Sequence, residues 1–283
     1  PEVEVLRMGV PATGPDFQYR LWQIEGSRLD PDVVIQAFFV GNDFVDHRGA
    51  GRSDVVADHW MSYRAVKNLL RVIRGVVREP GGKEPVSGEG TTYDEGGYPL
   101  AEYAESFQPR RPSFHYDKYI EIERRRMALC LNENEAEFER LLDRVTTTLE
   151  AFQREVRDSG AQFVIMIIPD EYQVAPGLAA EIASTEGRTL DDYDLGRPAR
   201  RLQEVLSERG IKVVDLSPDF VARGREIPLY RVQDTHWNRR GNRLAGSLIG
   251  KFIARRNVAA GNPAKPDLIS ANDWEDGRVV LSR

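Results

Sequence analysis

Only one cysteine, Cys130, stands in the 283 residues. That count excludes a disulfide framework and a cysteine-based zinc site, while leaving the redox compartment open. Basic residues are in deficit: 39 Lys and Arg face 45 Asp and Glu, a formal net charge of −6. Neutralising a phosphate backbone needs a Lys/Arg excess on one face, so a general nucleic-acid binder is excluded. Long apolar runs are missing too. The longest, Val33 to Val40 (interrupted by Gln36) and Phe163 to Pro169, are strand-length, well short of the ~20 residues of a membrane span. No internal repeat is found.

What is present is ordinary for a soluble globular protein: 41% hydrophobic and 9% aromatic residues with a mean hydropathy of −0.48. At about 150 residues per domain, the length allows one large domain or two small ones. The sequence opens at Pro1 without an initiator Met or a leader. It reads as a fragment or a processed chain, and a membrane anchor is expected only upstream of Pro1.

Three apolar runs set the fold. Val33 to Val40, Phe163 to Ile168 and Ile211 to Leu216 are hydrophobic on both faces, as parallel strands covered by helices must be. The second and third follow helical patterns, about Asn134 to Val156 and Pro198 to Arg209, that end at Gly160 and Gly210. A repeated helix, glycine, strand, loop unit predicts a three-layer α/β fold with a parallel sheet. Val3 to Met8 is read as a further short strand, and Asp16 as the cap of the helix carrying Phe17, Leu21 and Ile24. The α/β domain is placed at 1–256 and a tail at 257–283. Within the domain, about 47–133 is read as an insertion, with a helix from His59 to Val77 and a Gly/Pro/Ser-rich stretch from Arg78 to Pro112. The charge-rich segments Glu121 to Arg126 and Asn132 to Arg144 are read as solvated helix faces.

Ligands of an open parallel sheet bind beyond the carboxyl ends of its strands, so the loops there are searched first. The sharpest element is Asp234-Thr235-His236, in a segment read as a loop before an amphipathic last helix. A carboxylate beside a His can hold its Nδ1 proton and leave Nε2 to act as a base; a solvated His beside an incidental Asp is the alternative. Gly41-Asn42-Asp43 follows the first apolar run, where an Asn amide can face a developing oxyanion while Gly41 permits a sharp turn. Gly9 to Gly14 can present backbone N–H groups but lacks the residues of a phosphate-binding loop. Asp43, Asp46 and His47 are read as a solvated loop rather than a cation site. Ser217, before Pro218, is read as a helix cap, and Cys130 as a small buried hydrophobe.

Taken in order, three segments resemble the blocks of the SGNH (GDSL-type) hydrolase superfamily: Val5 to Gln18, Asp32 to Asp43, and Asp234 to Gly241. The resemblance implies a flavodoxin-like α/β/α sandwich and a serine ester hydrolase, an acylesterase or carbohydrate O-deacetylase. A polysaccharide O-acetyltransferase or a non-catalytic carbohydrate-binding relative are the alternatives. It assigns His236 as base, Asp234 as its orienter and Asn42 as an oxyanion-hole donor, with Ala12 or Gly14 supplying a backbone N–H. It implies no metal and no organic cofactor, a small-molecule or carbohydrate ester as substrate, and an extracytoplasmic or membrane-anchored location. Two departures leave room for an acetyltransferase-like subgroup: Arg7 stands where an Asn often opens the second block, and one residue rather than two separates Asp234 from His236. The family's Gly-Asp-Ser block, with its strand and nucleophile, is expected upstream of Pro1. Ser282 after Val279 to Leu281 is the permuted alternative.

Overall fold

The computed structural model describes residues 5–10, 13–46 and 112–259. The expectations placed on Ala12, His47, the helix from His59 to Val77 and Ser282 lie outside these residues. In chain order the elements are α1 (Pro15–Ile24), β1 (Val33–Phe39), α2 (Tyr116–Met127), α3 (Glu135–Asp158), β2 (Gln162–Ile168) and α4 (Glu171–Val174). There follow α5 (Leu178–Thr185), α6 (Arg197–Glu208), β3 (Lys212–Asp215), α7 (Ser217–Gly224), the strands β4 (Tyr230–Arg231) and β5 (Asp234–Trp237), and α8 (Arg239–Ala259). Two compact units are formed. Of the described residues, the first holds 5–10, 13–34, 42–46 and 136–163, and the second holds 35–41, 112–135 and 164–259.

In the first unit, Phe138, Leu142, Val145, Leu149, Phe152 and Val156 recur every three or four residues along α3 and are all buried. Phe152 is the hub: its ring lies 5.3 Å from Tyr19 and 6.1 Å from Trp22 of α1, and 4.7 Å from Phe163. Gly14, not Asp16, is the N-cap of α1, with Pro15 in the first turn where its missing N–H costs nothing. The strand expected at Val3 to Met8 is corrected as well. Residues 5–10 form no strand, Val5 and Leu6 are exposed, and Met8 and Val10 instead pack against Phe17 and Leu21.

The sheet has the order β1-β2-β3. β2 and β3 run parallel, with Val164 opposite Lys212 and Ile167 opposite Asp215. β1 enters the same way: the Gln162 amide donates to the Asp32 carbonyl at 3.0 Å at one end, and Val40 to Ile168 at 3.1 Å at the other. The α/β fold with a parallel sheet is thus as expected, but β2 is the central strand. β1 flanks it, and Ala37 is exposed between the buried Gln36 and Phe38.

Two apolar clusters surround this sheet in the second unit. Tyr119, Ile120, Met127 and Cys130 pack with Tyr172, Leu178 and Ile182. Val174, Leu216, Phe220, Leu229, Tyr230 and Ala245 form the other, with Trp237, Leu244 and Leu248 against it. The end of the expected insertion therefore belongs to a core: from Tyr116 on it is a helix packed in the second unit. Glu123 corrects the reading of Glu121 to Arg126 as solvated, because it is fully buried on the stripe of Tyr119, Ile120 and Met127. No helix among the described residues is long and apolar enough to cross a membrane.

Candidate active site

Asp234 and His236 lie on β5 of a short antiparallel hairpin, not on a loop. Alternate residues of a strand point to the same face, so a spacing of two brings both side chains together. Three features fix the hairpin. The Tyr230 hydroxyl donates to the Pro169 carbonyl at 2.6 Å, tying β4 to the chain that leaves the carboxyl end of β2. Asn238 donates through Nδ2 to the Pro228 and Tyr230 carbonyls, both at 2.9 Å, while its Oδ1 accepts the amides of Arg240 and Gly241 at the start of α8. Trp237 stacks on Phe220 with centroids 4.9 Å apart. Gly241 is required by close approach, since a Cβ there would overlap the Leu229 carbonyl.

Asp234 Oδ1 lies 2.6 Å from His236 Nδ1 and also accepts the His236 amide at 3.1 Å. A carboxylate only accepts, so the ring proton sits on Nδ1 and Nε2 carries the lone pair. The carboxyl is 8% exposed and the imidazole 76% exposed, and among the described residues nothing hydrogen-bonds Nε2. Asp234 Oδ2 accepts the Ser113 hydroxyl at 2.5 Å, with Arg231 3.7 Å away. Burial pushes the Asp234 carboxyl up, but the Ser113 hydroxyl, then the His236 ring and amide, outweigh it and hold the group below the ordinary carboxylate value. Ser113 was not singled out in the sequence. It is distant along the chain, and only the pairing of Ser113 and Phe114 amides with the Val232 and Gln233 carbonyls, at 3.3 and 3.1 Å, brings it here.

Around the turn after β2, Asp170 and Glu171, in one of the loops beyond the strand ends, are joined by Glu123, which the sequence did not mark. Glu123 and Asp170 are fully buried, and one guanidinium, Arg126, stands 3.3 Å from the first and 3.6 Å from the second. Neither Glu123 Oε2 nor Asp170 Oδ2 meets an N–H or O–H donor. A proton held between the two carboxyls satisfies both. Burial pushes the Asp170 carboxyl up, held back by Arg126 and by the Glu171 amide that donates to it at 2.7 Å, and Arg126 likewise holds back Glu123. Burial, then the Asp170 charge, pushes it up to about 9. Glu171 is pushed up to about 8 by burial, against the Tyr119 hydroxyl that donates to it, and the Asp170 and Asp234 charges push it the same way. Cys130 is buried and its thiol is pushed up to about 12 by burial; it is a packed hydrophobe rather than a nucleophile.

Two further sequence candidates, Asn42 and Gly14, are in the first unit, and Gly41 and Ser217 are in the second. Asn42 accepts the amides of Val45 and Asp46 on its carbonyl, at 2.9 and 2.8 Å. Its side-chain amide donates to Asp46 Oδ2 at 2.7 Å. Gly14 is the extended N-cap of α1. Gly41 is a glycine for a reason other than the one expected. Its φ is not left-handed; instead a Cβ would overlap Asp170 Oδ2 and come within 2.7 Å of the Phe39 ring. The buried Ser217 hydroxyl has no hydrogen-bond partner, and the residue opens α7 rather than capping it.

Among curated proteins and among solved structures, none matches the chain. A family match does exist, to the SGNH hydrolase-like domain of the acetyltransferase AlgX, over residues 131–272. That span is half of the chain and takes in β2, β3, the hairpin and both Asp234 and His236, while Asn42 precedes it. The match covers half of the chain and agrees with the parallel sheet, and the chain belongs to the SGNH hydrolase-like domains of the AlgX acetyltransferase family.

Proposed function

We propose that the protein is an O-acyltransferase that moves an acyl group, through a serine ester, to a carbohydrate hydroxyl, with His236 as the base. The observation that carries this is the 2.6 Å contact between Asp234 and His236 on a braced hairpin, with the outer ring nitrogen free. The name of the matching family favours transfer over hydrolysis. In each half-reaction His236 Nε2 takes a proton from the attacking hydroxyl. In the first that is the serine, and the proton passes to the leaving alcohol of the donor ester as the acyl–serine bond forms. In the second it is the acceptor, and the proton returns to the serine. Asp234 holds the imidazole in one tautomer and stabilises the imidazolium. Asn42 donates a side-chain N–H to the oxyanion, and backbone N–H groups near Gly14 and Ala12 serve the same charge.

The test uses protein extended upstream of Pro1 to include the nucleophile block, and follows nitrophenolate release from nitrophenyl acetate, together with acetylation of an oligosaccharide acceptor by mass spectrometry. His236→Ala lowers both by roughly 10³-fold, and Asp234→Asn, which keeps the fold but loses the tautomer, also lowers both. Undiminished turnover in His236→Ala overturns the assignment. Nitrophenolate release without sugar acetylation makes the enzyme an esterase.

A further inference from the structure

We infer that Ser113 is a positioning residue of this site, acting through Asp234 on the tautomer of His236, an inference that rests on the function proposed above. Asp234 has two oxygens with divided tasks. Oδ1 takes both His236 hydrogens, from the ring and from the amide. Oδ2 takes the Ser113 hydroxyl at 2.5 Å, while Arg231, the nearest guanidinium among the described residues, stands 3.7 Å off, beyond hydrogen-bond reach. Without Ser113 the carboxyl keeps one firm anchor, on the side that must face the imidazole. It is then free to rotate about its Cβ–Cγ bond and offer either oxygen to solvent. With Ser113 the plane of the carboxyl is fixed at both ends and the line from Oδ1 to Nδ1 is held. A hydrogen bond to the far oxygen also favours the ionised carboxylate, the form that can only accept and so pins the proton on Nδ1.

The hydroxyl can be removed without removing the segment that carries it. Ser113 and Phe114 attach to the hairpin turn through their own backbone amides, and these bonds survive a change of side chain. The Ser113 side chain is otherwise exposed. Ser113→Ala therefore isolates the Oγ–H from the packing of the hairpin.

The decisive experiment is nitrogen-15 NMR of the histidine rings in the folded protein, with His236→Ala used to assign the signal. In the parent, the neutral ring of His236 is the Nδ1-protonated tautomer. In Ser113→Ala it becomes a mixture of both neutral tautomers, and in Ser113→Thr, which restores a hydroxyl, the parental pattern returns. Turnover of nitrophenyl acetate falls roughly ten- to hundredfold in Ser113→Ala, in kcat with little change in KM, and recovers in Ser113→Thr. A parental tautomer pattern in Ser113→Ala overturns the inference whatever the rates do. Loss of the tautomer together with full activity in His236→Ala would uphold Ser113 as the orienter and overturn the base assignment instead, so the two failures are distinct.

Discussion

The Tyr230 hydroxyl reaches the Pro169 carbonyl at 2.6 Å, so the first strand of the hairpin that carries Asp234 and His236 is bonded to the first residue beyond β2. Both groups are buried, and a proline carbonyl at the end of a strand has no ladder partner of its own. Tyr230→Phe leaves that carbonyl unsatisfied, a loss of about 1–3 kcal/mol. The expected result is a Tm lower by several degrees, measured by calorimetry, with kcat per folded molecule within about threefold of the parent, because Asn238 still holds the other side of the hairpin. An unchanged Tm would remove this bond from the account of how the hairpin is held.

Asn42 bonds Asp46 through one amide hydrogen, and a second remains for a developing oxyanion under the proposed function. Asn42→Ala should lower kcat by roughly 10²–10³ with little change in KM, as expected for a donor that acts on transition-state charge. A lowered Tm with unchanged kcat would make the residue a turn former, and the site would then rest on the hairpin alone.

Glu123 carries the pH prediction. Folded, it holds its proton to about 9 against an ordinary value of 4.5. The native state therefore binds more protons than the unfolded chain between those values, and the stability that Glu123 contributes in acid is lost as pH rises through the window. The slope for one proton is about 1.4 kcal/mol per pH unit. Glu171, pushed up to about 8, adds in the same direction. Thermal melts at mildly acidic, neutral and mildly alkaline pH should show a falling Tm. Glu123→Gln, whose amide can still donate to Asp170, should flatten the curve. A variant as steep as the parent would place the proton elsewhere.

The three sheet strands were legible because each is a strand-length apolar run beside a glycine, and Asp234/His236 because the spacing is local. The hairpin was not legible. Its turn is Val232-Gln233, with Gln233 at φ 46, and it lacks the Asn or Gly by which a tight turn announces left-handed backbone. Glu123 was hidden among Arg and Glu neighbours. Only its registry with Tyr119, Ile120 and Met127, three or four residues away, marks it as inward-facing. Ser113 has no local signal at all, since its partner lies far along the chain.

The packing of Asp170 against Gly41 makes the size of one backbone position an electrostatic variable. A methyl group at 41 must displace Oδ2, and that oxygen belongs to a carboxyl that burial pushes up beside that of Glu123. Pushed apart, Asp170 and Glu123 can no longer share a hydrogen, and the single guanidinium of Arg126 is left to offset two buried acids. At neutral pH the added methyl would therefore register as proton uptake or release on folding. Gly41→Ala and Asp170→Ala should accordingly prove less damaging together than their separate effects imply.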